Sequence, residues 1–127
     1  MTITDTARTL LAGAIKGEKT SALGGFNAFN KMDIGEAGGS TDPSLNTLDS
    51  SITNNVPLTC DSVTKSADNQ VEFYKTLDGT TYTGYVIREV GIFDSAGTTM
   101  LLRIPVDPIG PLETNKIYDI RIIMEVE

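Results

Sequence analysis

The sequence predicts a mainly β (α+β) domain: an antiparallel β-sandwich or sheet, with an N-terminal amphipathic helix and a short second helix. Three observations point there. Beyond Asn55 the apolar residues recur at every second position, Gly-bearing turns punctuate those runs, and helical spacing is confined to the first 17 residues and a short stretch after Pro43. At 127 residues the chain fits one domain, 1–127, divided into a helix over 1–17 and a mainly β region over 24–127.

The helix is expected to start at Thr2, with Asp5 three residues on completing a variant of the capping box and favouring the positive end of the helix dipole. Ala7, Leu10, Leu11, Ala14 and Ile15 make one apolar stripe, and Gly17 is placed to end it. A single amphipathic helix of this length is marginal alone. Leu10 and Leu11 are therefore expected to dock on an apolar surface, such as a neighbouring subunit.

Phe26, Ala28, Phe29, Met32 and Ile34 suggest an imperfect strand that Gly35 interrupts, followed by a Gly-rich loop to Thr41. Asp42 before Pro43, with Leu45, Leu48 and Ile52 at helical spacing, predicts a short second helix. Val56, Leu58 and Cys60 then alternate, as do Val71, Phe73 and Leu77. Asp78-Gly79 is a residue pair that a two-residue type I′ turn favours, so strands over 70–77 and 80–93 are expected to pair, with Gly79 at positive φ.

A second hairpin is expected to turn through Ser95, Ala96 and Gly97, with Gly97 left-handed. Counting outward sets Asp94 against Thr98, Ile92 against Met100, Val90 against Leu102 and Glu89 against Arg103. Two readings of the Glu89 and Arg103 pair stay open: an exposed cross-strand pair contributing under about 1 kcal/mol, or a partly buried one that fixes register. Pro105, Pro108 and Pro111 imply an extended connection. The last strand is the clearest: Tyr118, Ile120, Ile122, Met124 and Val126 face a core, while Asp119, Arg121, Ile123, Glu125 and Glu127 face away.

Composition narrows the function. Net charge is −7 and the Lys and Arg residues are scattered, which argues against nucleic acid or an anionic membrane as partner. The first 17 residues read neither as a signal peptide nor as a membrane span. His is absent and Cys60 is the single cysteine, so neither a His-based triad nor an internal disulfide can be built. The acidic loops around Asp33, Glu36, Asp42, Asp61 and Asp68 match no EF-hand spacing, and Gly35, Gly38 and Gly39 lack the Lys-Ser/Thr ending of a phosphate-binding loop. No catalytic residue, metal ligand, cofactor site or small-molecule substrate is implied.

The stretch Tyr85-Val86-Ile87-Arg88-Glu89-Val90-Gly91-Ile92-Phe93-Asp94, followed by a Gly-bearing turn and Met100-Leu101-Leu102-Arg103, resembles a signature of the phage tail-collar and tail-fibre N-terminal family. Lys31-Met32-Asp33-Ile34-Gly35 before a Gly-rich loop, and Thr41-Asp42-Pro43-Ser44-Leu45, are similar to upstream features of that family. The resemblance implies a non-enzymatic structural protein of a virion tail, collar or baseplate, made in the host cytoplasm. It further implies contacts with other virion proteins and a homo-oligomer, favouring a trimer. The residues implicated in structure and assembly are Leu10, Leu11, Arg88, Glu89, Gly91, Phe93, Gly97 and Arg103. The alternatives are a carbohydrate- or receptor-binding β module and a small enzyme. With no Trp and 6% aromatic residues, the chain has few platforms for stacking a sugar.

Overall fold

The computed structural model describes residues 2–5, 29–38, 44–67 and 69–125. Eight strands run in chain order: β1 (Thr2–Ile3), β2 (Phe29–Gly35), β3 (Leu58–Thr59), β4 (Ser62–Ala67), β5 (Gln70–Asp78), β6 (Ile87–Asp94), β7 (Met100–Ile109) and β8 (Ile117–Glu125). They form two antiparallel sheets, a five-stranded one in the order β1-β7-β6-β2-β3 and a three-stranded one in the order β4-β5-β8. Met32, Ile34, Val90, Ile92 and Leu102 of the larger sheet share one buried cluster with Phe73, Leu77, Ile120 and Ile122 of the smaller. This is the core that the alternating runs predict, since residues two apart share a face.

The chain changes sheet three times. At Cys60 and Asp61 it leaves the larger sheet: the Cys60 amide donates to the Asn30 carbonyl at 2.8 Å, and the next amide donates to the Tyr74 carbonyl at 2.8 Å. It returns through the turns of residues 79–86 and crosses again after Ile109. Gly110 has φ 123°, and the Leu112 amide donates to the Tyr85 carbonyl at 2.9 Å, tying the second crossing to the third.

Four expectations need correction. Thr2 does not cap a helix, because Thr2–Ile3 form β1, paired with Arg103 and Leu102 of β7. The apolar stripe that includes Leu10 and Leu11 lies outside the described residues. The second helix is replaced, from Ser44 to Asn55, by turns that bond to the edge of β2: the Ile52 amide donates to the Ile34 carbonyl at 2.9 Å and the Glu36 amide to the Ser50 carbonyl at 3.0 Å. Pairing with a strand edge outweighs a weak local helical signal.

The third correction is the Asp78-Gly79 turn. β5 pairs with β4 and β8, not with the following strand, which belongs to the other sheet. Asp78 opens a β-turn closed by the Thr81 amide on its carbonyl at 3.1 Å, and its Oδ1 accepts the Thr80 amide at 2.9 Å. Gly79 is not among the positive-φ glycines. Its role is close approach: a Cβ there would lie 2.2 Å from the Glu113 carbonyl oxygen and 2.9 Å from that of Lys116.

The fourth is register. The β6–β7 hairpin forms, and Gly97 is left-handed at φ 75°. However, Phe93 faces Met100, Ile92 faces Leu102, Gly91 faces Arg103 and Glu89 faces Pro105, with a bulge between Ile92 and Phe93. The loop closes one residue later than expected, where the Asp94 amide donates to the Thr99 carbonyl at 2.9 Å. Asp94 causes this shift: its carbonyl accepts the Gly97 amide, and its Oδ1 accepts the amides of Thr98 and Thr99 at 3.0 and 3.1 Å. Pro105 and Pro108 lie within β7, beyond the two residues that β1 pairs, where a missing amide breaks no ladder on that side.

Candidate functional site

Four of the eight residues singled out by the sequence, Glu89, Gly91, Phe93 and Arg103, gather on the face of the larger sheet turned away from the shared core. Lys31, Asp33 and Gly35 of β2, Glu89, Gly91 and Phe93 of β6, and Arg103 and Pro105 of β7 occupy adjoining register positions there. Leu48 packs with Phe93 and Met100 in a second buried cluster. Gly91 makes room for it: a Cβ at that position would lie 3.1 Å from Leu48 Cδ2, 3.1 Å from Phe93 Cε1 and 3.2 Å from Met100 Sδ. The Val-Gly-Ile-Phe-Asp stretch therefore encodes a packing layer.

Beside this layer Arg103 Nη2 donates to Glu89 Oε1 at 2.8 Å and Oε2 at 3.0 Å. Both side chains are 1% exposed, so the buried reading of the pair holds. They meet diagonally rather than directly, because Arg103 sits opposite Gly91, two residues along β6 from Glu89. Asp49 Oδ2 adds a second carboxylate at 3.7 Å from the same nitrogen. Among the described residues Arg103 Nε and Nη1 have no hydrogen-bond partner. Breaking such a pair by removing one member costs about 3–5 kcal/mol, whereas replacing both by apolar groups is often neutral. The pair's presence alone is therefore no measure of net stability.

Asp33, fully buried, anchors the following turns. Its Oδ1 accepts the Ile34 amide at 2.9 Å and the Thr53 hydroxyl, and Ser51 Oγ accepts the Asn55 amide at 2.9 Å. Asn54 and Asn55 are left-handed at φ 57° and 63°, a conformation Asn tolerates. Burial, with the Asp33 charge adding to it, raises the Tyr82 phenol above its ordinary pKa. Arg88 is exposed and takes no part in the layer, and Gly97 belongs to the hairpin loop beside Pro57.

The outer face of the smaller sheet is the opposite kind of surface. Arg121 stacks 4.3 Å from the centre of the Tyr74 ring and pairs with Glu72, while Tyr74 Oη donates to Asp119 Oδ1 at 2.9 Å. The Glu72 partner raises the Arg121 pKa. Arg121 thereby occupies a ring face that a sugar would use. At the margin of this face Ile117 and Ile123, on β8, are 64% and 55% exposed. Sequence reasoning placed Ile123 on the wet face but gave neither residue a role. The available signal was an isoleucine at each of two positions otherwise held by charges.

Among the described residues no three His, Cys, Asp or Glu side chains converge as a metal site, and no helix is long and apolar enough to cross a membrane. Searches of protein-family models, curated proteins and solved structures return no match to this chain.

Proposed function

We propose that this chain is a non-enzymatic structural component of a tailed virus particle, acting in the tail, collar or baseplate through contacts with other virion proteins and with copies of itself. One observation carries the reading: the motif resembling the tail-collar and tail-fibre family is used for architecture. Glu89, Gly91, Phe93 and Arg103 are all buried, and the hairpin they build is the centre of the larger sheet. A motif spent on packing leaves function to the surfaces the fold presents, which suits a building block.

The test is location. Particles released by the cells that make this chain are purified on a density gradient, and their proteins are quantified by mass spectrometry against the major capsid protein. The expected result is co-purification at a fixed stoichiometry, with antibody against the chain labelling the tail. Loss of the chain from intact particles, with all of it recovered in the soluble fraction, would overturn the reading.

A further inference from the structure

The two margins of the smaller sheet are built differently. β4 is exposed along its whole length, carries Lys65, and slips register against β5 between Thr64 and Ala67. Those are features that discourage another strand from adding. β8 runs in unbroken register against β5 from Ile117 to Glu125, without bulge or proline, and no described strand pairs with its far side. It presents a regular row of backbone donors and acceptors next to two exposed isoleucines.

We propose that β8 pairs antiparallel with β8 of a second copy of this chain, about a two-fold axis at Ile120, joining the two small sheets into one. The register follows from the side chains. Because both copies must keep the same face toward their cores, only registers that match like-facing residues are allowed. Centring on Ile120 sets Asp119 against Arg121 of the second copy and Ile117 against its Ile123, each contact occurring twice by symmetry. On the core side Tyr118 faces Ile122, and Ile120 faces its own copy.

The neighbouring registers are worse. Centring on Arg121 opposes two arginines and sets Ile117 against Glu125, while centring on Asp119 opposes two aspartates and sets Ile117 against Arg121. Directly opposed like charges destabilise a strand pair, and opposite charges or apolar pairs stabilise it. The pattern Ile-x-Asp-Ile-Arg-x-Ile is thus self-complementary about its centre. A two-fold contact builds a dimer or an even-numbered assembly, in place of the trimer that the family resemblance implies.

The inference rests on the reading that the chain works through subunit contacts, and purified protein tests it apart from any particle. Sedimentation equilibrium over a dilution series should give a reversible dimer. Ile117→Lys with Ile123→Lys opposes two lysines twice and should leave a monomer, whereas Ile117→Lys with Ile123→Glu restores opposite charges and should restore the dimer. Both positions are exposed, so circular dichroism should report an unchanged fold. In a Cys60→Ala background, Ile117→Cys with Ile123→Cys should form a covalent dimer under mild oxidation. Either single cysteine should not, because like positions in the two copies lie about 20 Å apart at roughly 3.4 Å per residue. A wild-type monomer at every concentration, a two-lysine variant that associates as the wild type does, or single variants that cross-link as well as the double would each overturn the pairing. Presence of a monomeric chain in particles would overturn it too, while leaving the virion assignment standing.

Discussion

The β6–β7 pair of the larger sheet is irregular and buries side chains on both faces, whereas the β5–β8 pair of the smaller sheet is regular and open on one face. β6 and β7 carry register shifts, a proline opposite Glu89 and an ion pair buried on the face away from the shared core. β5 and β8 match residue for residue over nine positions, and their outer face is wet. The difference teaches where each sheet's specificity lies. Where side chains are buried on both faces, glycines, charges and bulges are tied to particular neighbours. A sheet covered on one face needs only alternation, which leaves its other face and its edge free for a partner.

The sharpest way to break this contrast is to remove an arginine from each sheet. Arg103→Met leaves Glu89 buried without its partner and is expected to cost about 3–5 kcal/mol in urea denaturation, much of it recovered by adding Glu89→Leu. Arg121→Met, at an exposed pair, should move the midpoint far less. Equal losses would dissolve the distinction between the sheets.

The two Asp/Gly turns come next. Gly79→Ala forces a Cβ against backbone oxygens and should cost about 2–3 kcal/mol or more. Gly97→Ala meets only Pro57, at 3.5 Å, and should cost about 1–2 kcal/mol through its left-handed φ. Thermal melts that reversed this order would show that turn conformation outweighs close packing here.

At the Cys60–Asp61 crossing the two titrations act in opposite pH ranges. Asp61 is held below its ordinary pKa, first by the Thr76 amide, with Lys75 assisting. Its contribution is therefore present above the ordinary carboxylate value and is lost as pH falls through the lowered one. Asp61→Asn should flatten the acid limb of a stability–pH curve. Burial raises the Cys60 thiol, so stability is full below the ordinary thiol value and is lost as pH rises through the raised one. Cys60→Ala should flatten only the alkaline limb. The smallest expected effect is at β8: Ile123→Thr should change the monomer's stability by under about 0.5 kcal/mol while weakening self-association. A large loss of monomer stability would mean that Ile123 serves the fold.

Much of the β architecture was legible in the residues themselves. Alternation placed the core faces of β5 and β8, and Ser95-Ala96-Gly97 marked a turn with a left-handed glycine, because period and turn chemistry are local properties. The charges of Glu89 and Arg103 foretold a pair, though not its diagonal geometry or its depth. What only the tertiary structure decided was non-local. Asp94 captured two extra amides and moved the hairpin by one residue, β5 found its partners in β4 and β8, and Gly79 was required by a loop more than thirty residues away. Residues 44–55 gave up helical spacing for bonds to the edge of β2 and for the seat of Leu48 on the larger sheet. A sequence window reports the preferences of its own backbone. Which strand edge, carbonyl or cavity competes for that backbone depends on segments brought together only by folding.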